Sequence, residues 1–246
     1  MKVTRQRIDK ILTERGLLPS RERAQSYIMA GKVWVNEKRV EKASETYLPE
    51  ISIEIKGEDH PYVSRGGLKL EGALKDFDID VKGWVCLDLG ASTGGFTDCL
   101  LQNGAKKVYA ADVGYGQLAW KLRQDPRVIV WEKTHAKDLK LENFSEALDF
   151  VVIDVSFISL LKVLPHVLDI LQSKTPLLTL IKPQFEADKG AVPRGGVIKD
   201  EVQRQQIVER VIEGMKALTL QVIGISPARI SGTDGNQEFL ALIQKS

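Results

Sequence analysis

The twelve residues Val85-Cys86-Leu87-Asp88-Leu89-Gly90-Ala91-Ser92-Thr93-Gly94-Gly95-Phe96 decide the fold. The first five are apolar apart from one aspartate, the pattern of a strand buried on both faces. Gly90, Gly94 and Gly95 then let the backbone turn tightly and approach a ligand closely, and Phe96 opens a helix. A helix start adds free N–H groups and the positive end of the helix dipole. The loop lacks the G-x-G-x-x-G spacing of dinucleotide sites. A second strand ends at Ala110-Ala111-Asp112, 22 residues after Gly90. A carboxylate at that place is suited to accept hydrogen bonds from a ribose diol.

Outward from this stretch the chain alternates. Strands are expected at 84–89, 107–112, 128–131, 148–154, 177–182, 221–226 and 238–244. Helices are expected at 95–103, 116–123, 159–172 and 200–218, and another runs from about Gly67 to residue 77 with Leu70, Ala73, Leu74 and Phe77 on one face. Asp200 is placed to cap the last helix, whose apolar face is Ile207, Val208, Val211, Ile212 and Met215. The pattern predicts an α/β fold, a mostly parallel Rossmann-like sheet with helices on both faces.

Four charges stand out against this background. Asp154 closes the apolar run Phe150-Val151-Val152-Ile153, and Lys182 closes Leu177-Leu178-Thr179-Leu180-Ile181. Charges at the carboxyl ends of buried parallel strands line a ligand crevice. Lys69 stands near the start of the helix before the first strand, at the same edge. Glu238 opens the last strand and meets that edge if the strand is antiparallel. Two lysines and two carboxylates can therefore converge beside the glycine loop, or each can serve as a structural ion pair.

Upstream lies a separate unit. Thr4 can cap a helix carrying Ile8, Ile11 and Leu12, which Gly16 ends. Ser20 caps a second, with Ala24, Tyr27 and Ile28 inward and Gly31 at its end. Val33-Trp34-Val35 reads as a strand, Asn36-Glu37-Lys38-Arg39 as a turn, and Ile51 to Ile55 as a further strand. The formal charge is +6 over residues 1–44, −4 over 45–59 and zero beyond, within a net +2. Such a basic start suits nucleic acid, or is a solvated face with no partner.

Arg7-Ile8-Asp9-Lys10-Ile11-Leu12, Gly16-Leu17, Ser20-Arg21, Ala24, Ile28, Gly31, Val33, Val35-Asn36 and Val40 together resemble the S4 RNA-binding domain. The resemblance implies that Arg5, Arg7, Lys10, Arg21 and Arg23 face an RNA backbone. The Asp-x-Gly-x-x-x-Gly-Gly loop resembles motif I of S-adenosylmethionine-dependent methyltransferases of the FtsJ type. It implies a cofactor site of Asp88, Gly90, Ala91, Ser92, Thr93, Gly94, Gly95 and Phe96 with Asp112, and Asp138 against the adenine amino group. The order Lys69, Asp154, Lys182, Glu238 resembles the catalytic tetrad of ribose 2′-O-methyltransferases. There a ribose 2′-hydroxyl attacks the sulfonium methyl in line. Lys182 is the candidate general base, and as such must be neutral for part of the time. Asp154 and Glu238 would orient the lysines, and Lys69 would position the hydroxyl.

Ser64-Arg65-Gly66-Gly67-Leu68-Lys69-Leu70, Lys182-Pro183-Gln184-Phe185-Glu186 and Gly235-Asn236-Gln237-Glu238-Phe239 extend the likeness to the TlyA family over nearly the whole chain. That implies an S4-like domain at 1–59, a linker at 60–66 and a methyltransferase domain at 67–246. It also implies a cytidine 2′-O-methyltransferase of ribosomal RNA, with large-subunit rRNA as the target of the shorter members that this chain resembles. The long loop after Lys182 offers Phe185 for base stacking and Lys189 and Arg194 for phosphates, and Arg65 joins these as an RNA contact.

Other chemistry is argued against. Asp154-Val155-Ser156-Phe157 is not the Pro-Pro form that grips an exocyclic amino group. Cys86 sits inside a strand and Cys99 inside a helix, so neither suits a nucleophile. The three histidines show no metal spacing, and Ser156 and Ser159 lack a histidine partner. No apolar run reaches the ~20 residues of a membrane helix, which argues against the lytic action that a hemolysin label on this family suggests. A cytoplasmic, reducing location is expected, with no membrane or metal partner, and the sequence does not fix an oligomeric state. An RNA-binding protein with an inactive methyltransferase fold is the alternative.

Overall fold

The structure is a computed structural model that describes residues 4–56, 60–188, 190–232 and 235–245. Lys189 lies outside the described residues. The chain divides into two compact units, Met1–Ser64 and Arg65–Ser246.

The first unit holds β1 (Gln6–Arg7), α1 (Ile8–Glu14), α2 (Arg21–Met29), β2 (Val33–Val35), β3 (Lys38–Arg39), β4 (Thr46–Tyr47) and β5 (Ile53–Ile55). Ile8, Leu12, Ala24, Tyr27, Ile28, Val33, Val35 and Val40 form its core. The Ser20 side chain accepts from the amide of Arg23 and caps α2. Thr4 does not cap α1. Residues 6 and 7 pair with Tyr47 and Thr46 instead, and the Ile8 amide donates to the carbonyl of Glu45. That backbone partner satisfies the first amide of the helix, which carries no side-chain cap. The expected four-residue turn is also shorter. Asn36 and Glu37 alone turn the chain, both at positive φ, and Lys38–Arg39 already pair with β2. Two central residues at φ > 0 give the turn whose twist matches a hairpin.

The second unit holds α3 (Gly66–Asp76), β6 (Val85–Leu89), α4 (Gly95–Gln102), β7 (Lys107–Asp112), α5 (Trp120–Arg123), β8 (Val128–Glu132), β9 (Phe150–Ile153), α6 (Leu160–Leu168), β10 (Pro176–Ile181), α7 (Pro183–Glu186), α8 (Glu201–Ala217), β11 (Leu220–Pro227) and β12 (Phe239–Lys245). The strands form one sheet in the order β11-β12-β10-β9-β6-β7-β8. Strands β10, β9, β6, β7 and β8 are mutually parallel, while β12 runs antiparallel to both its neighbours. Every residue of β6 and β9 is buried, which explains their unbroken apolar runs. The apolar faces of α6 and α8 cover one side through Val163, Leu164, Val167, Val208, Val211 and Met215. The Asp200 carboxylate caps α8 at the Gln203 amide.

Two expected helices are shorter than their periodicity. Of 116–123 only Trp120–Arg123 is helical. Carboxylates hold the stretch before it in another shape: Asp112 accepts from the Gly114 amide and Glu132 from the Gly116 amide. Side-chain acceptors here compete with helical hydrogen bonds. The helix expected over 159–172 stops at Leu168.

Candidate active site

Strand order reverses about β6, whose neighbours are β7 on one side and β9 on the other. Parallel sheets bind ligands at such a switch point, outside the carboxyl ends of their strands. The glycine loop lies there. The amides of Gly90 and Ala91 donate to the Ala111 carbonyl at the end of β7. Gly90 has φ +90, and a Cβ built on it would stand 2.2 Å from the carbonyl oxygen of Asp154. Only a glycine lets the loop lie against the end of β9. Gly94, at φ +98, opens α4 where a Cβ would strike Leu122 and Leu118.

The two acidic residues of this site are held differently. The Asp112 carboxylate accepts from the Ser92 amide at 2.8 Å and the Gly114 amide at 2.6 Å. A carboxylate offers about four lone-pair sites, so acceptor capacity remains for a diol. Asp88 is fully buried. One oxygen accepts from the amide and hydroxyl of Thr97, at 2.9 and 2.6 Å. The other is buried with no hydrogen-bond partner. Burial pushes this carboxyl up to about 7; the negative charges of Asp154 and Asp112 add to it, and the bonds from Thr97 oppose it.

That shift bears on stability. The folded state keeps a proton on Asp88 that the unfolded chain loses near pH 4, so stability falls as pH rises from about 4 to 7 and the cost persists above. Three pKa units correspond to at most about 4 kcal/mol. Asp88→Asn is expected to flatten this slope, gaining stability over the parent at pH 8 relative to pH 5. Urea unfolding at the two pH values measures it, and identical slopes in both proteins would contradict it.

The four charges form two ion pairs. Lys69 Nζ lies 2.5 Å from Glu238 Oε2, and Lys182 Nζ lies 2.5 Å from Asp154 Oδ1. Asp154 and Lys182 follow the last residues of β9 and β10, and Glu238 precedes the first of β12. The register pairs Ile181 with Phe239, so Lys182 and Glu238 occupy the next position across two antiparallel strands. Lys69 reaches Glu238 from the first turn of α3. Lys69, Lys182 and Glu238 are buried. Removing one partner of such a pair strands an uncompensated charge, at about 3–5 kcal/mol.

Asp138 is exposed and accepts from the His135 amide in its own turn. The expected RNA contacts have intramolecular partners. Arg7 and Arg21 both bind the Asp9 carboxylate, which is held well below the usual carboxylate range by Arg7 first and by Gln25 and Arg21. Arg5 donates to the Thr46 carbonyl, Arg23 to the carbonyls of Tyr62 and His60, and Lys10 lies near Glu14. Arg65 donates to the Ser231 carbonyl, and Arg194 is exposed. Phe185 packs on Phe157, ring centroids 4.9 Å apart.

Sequence reasoning missed three partners. Thr97 holds Asp88. Glu186 accepts from the hydroxyl of Ser159 and the amide of Leu160, joining α7 to the start of α6. Ser156 accepts from Lys182 Nζ at 2.8 Å. None lies on a periodic face, and Ser156 was weighed only as a nucleophile.

An FtsJ-like methyltransferase family model matches residues 62–245, and an S4 domain model matches residues 6–50. The chain belongs to the FtsJ-like methyltransferase family. Within that family it resembles proteins that also carry an S4 domain. It is 43% identical to "16S/23S rRNA (cytidine-2'-O)-methyltransferase TlyA" of Mycobacterium tuberculosis, over 96% of this chain and 88% of that protein. It is equally identical to "Hemolysin A" of Brachyspira hyodysenteriae, over 96% and 98%. Among solved structures, "Putative hemolysin" from Streptococcus thermophilus superposes with a TM-score of 0.77 at 41% identity, covering 99% of this chain and 90% of that one. As in other FtsJ-like methyltransferases, the fold is a mostly parallel sheet flanked by helices. Among the described residues no helix is long and apolar enough to cross a membrane, and no group of side chains could hold a metal ion.

Proposed function

We propose that this FtsJ-like methyltransferase methylates the ribose 2′-oxygen of a cytidine in ribosomal RNA, with large-subunit rRNA as the first substrate to test. The observation that carries this is the set of two lysine–carboxylate pairs, one buried and one partly buried, at the sheet edge that bears the glycine loop. The relatives named for rRNA methylation supply the substrate class, and the S4 domain supplies the RNA-binding unit. The place of action is the cytoplasm.

The residues fit S-adenosylmethionine as methyl donor. The Gly90 turn leaves no room for a side chain, Asp112 keeps acceptor capacity for a ribose diol, and Asp88 presents an unpartnered buried oxygen. Residues Gly90 to Phe96 with Asp88 and Asp112 would hold it, and Asp138 would meet its base. The bound donor supplies an electrophilic methyl group. Lys182 Nζ takes the proton of the 2′-hydroxyl while Asp154 holds the amine. Lys69, fixed by Glu238, donates to the ribose oxygen and aligns it. Alignment of the reacting atoms supplies much of the rate. The arginines of the first unit and Arg65, Phe185, Lys189 and Arg194 of the second engage the RNA.

The test is transfer of labelled methyl groups from S-adenosylmethionine to ribosomal subunits and to whole ribosomes. Label on a cytidine 2′-oxygen is expected. Donor binding with no label on any ribosomal substrate would move the activity to another RNA. No donor binding even with RNA present would favour an inactive RNA-binding protein.

A further inference from the structure

We propose that Ser156 is a positioning residue that aims the amine of Lys182 at the substrate hydroxyl. The inference rests on the reading of Lys182 as the general base.

The two partners of Lys182 are not equivalent. Asp154 Oδ1 lies 2.5 Å from Nζ, a close charge contact, yet that oxygen accepts no well-directed hydrogen bond. The directed bond of the amine goes to Ser156 Oγ at 2.8 Å. Asp154 neutralises the ammonium, and Ser156 sets its rotation about the Cε–Nζ bond.

The loop fixes the serine where this requires it. Asp154 donates its amide to the Leu89 carbonyl and is anchored to β6. Phe157 takes a left-handed conformation, φ +65, that L side chains rarely adopt. It turns the chain directly after Ser156, and strain of this kind persists only where surrounding structure imposes it. Ser159 then caps α6 with its own hydroxyl and donates to Glu186, which also takes the Leu160 amide. Glu186 is four residues from Lys182, at the end of α7. The loop carrying Ser156 and the loop carrying Lys182 are therefore latched together, and the hydroxyl keeps its place beside Nζ.

The chemistry follows from counting directions. A neutral lysine amine has two N–H bonds and one lone pair. With one N–H fixed on Ser156 Oγ and the amine held by charge against Asp154, the lone pair is confined to the directions that remain. Without the hydroxyl the amine rotates, and the lone pair is misdirected for part of the time. Misalignment of a base costs rate and leaves binding unchanged.

The experiment compares the parent, Lys182→Ala, and Ser156 replaced by Ala, Val or Thr, in the same methyl-transfer assay with kcat and KM separated. Ser156→Ala and Ser156→Val are expected to lose about ten- to thirtyfold in kcat, the scale of one hydrogen bond to a charged group. Their KM for donor and RNA should stay within about twofold of the parent. Ser156→Thr, which keeps the hydroxyl on a side chain shaped like valine, should restore kcat. Unchanged kcat in Ser156→Ala, with Lys182→Ala inactive, overturns the proposal and leaves the base in place. A raised KM for RNA at constant kcat also overturns it, because the hydroxyl would then be a substrate contact. Full activity in Lys182→Ala removes the base itself, and the role of Ser156 with it.

Discussion

Lys182→Ala is expected to lower kcat for methyl transfer by at least a thousandfold, with donor affinity preserved. Two losses combine. A positioned general base contributes roughly 10²–10⁴ to the rate. The variant also leaves Asp154, now without its cation, at the mouth of the crevice beside the Gly90 turn. An unpaired carboxylate there raises the cost of keeping the site dry while the hydroxyl approaches. Lys182→Arg keeps the charge and repairs that second loss, but a guanidinium stays protonated and takes no proton. Both variants should have a low kcat, Arg the less reduced of the two, and should differ in stability, Arg being closer to the parent. Single-turnover transfer and thermal unfolding separate the effects. Activity within tenfold of the parent in either variant would assign proton removal to another group or to water.

The second large effect is Gly90→Ala. The new methyl group would lie 2.2 Å from the Asp154 carbonyl oxygen, where real Cβ atoms do not go, at a φ of +90. Neither the residue nor its neighbour can yield cheaply, because the neighbour is backbone at the end of a fully buried strand. Strain at the left-handed residue and displacement of β9 together should cost about 3 kcal/mol or more. The same displacement moves Asp154 away from Lys182. Loss of donor binding by calorimetry, together with a lowered thermal midpoint, is the expected pair of results. Parent-like donor affinity would show that the loop does not lie against the ligand. Gly104→Ala also replaces a left-handed glycine, but at the far end of α4. It should show the backbone strain with donor binding intact.

Much of this was legible in the chain. The central strands β6, β9 and β10 fell where apolar runs end in a charge or a glycine, because near-complete burial on both faces leaves little freedom in composition. Asp154 and Lys182 stood out for the same reason: a charge directly after an unbroken apolar run is unusual at the end of a buried strand. Their pairing was not visible. Lys69 and Glu238 are 169 residues apart and meet only because β12 is antiparallel, and an apolar run such as Phe239–Ile243 does not announce its direction. The parts that misled were settled by polar partners from elsewhere in the chain. Thr4 has the composition of a cap, but the Glu45 carbonyl had already taken the first helical amide. The segment before Trp120 has helical spacing, but the carboxylates of Asp112 and Glu132 claim its amides. The arginines of the first unit carry the likeness to an RNA-facing surface, but nothing in their spacing announces that Asp9 gathers Arg7 and Arg21 into one array.

The antiparallel β12 has a consequence for biosynthesis. Of the seven strands it is made last, yet it is inserted between β11 and β10 rather than added outside them. Until it arrives, β10 presents an open edge of apolar residues to the cell, the kind of edge that recruits other chains. Lys69 has no counter-ion during that interval. The nascent chain thus keeps an apolar edge open until its final strand docks, and the step that closes the sheet is the same step that pairs Lys69 with Glu238.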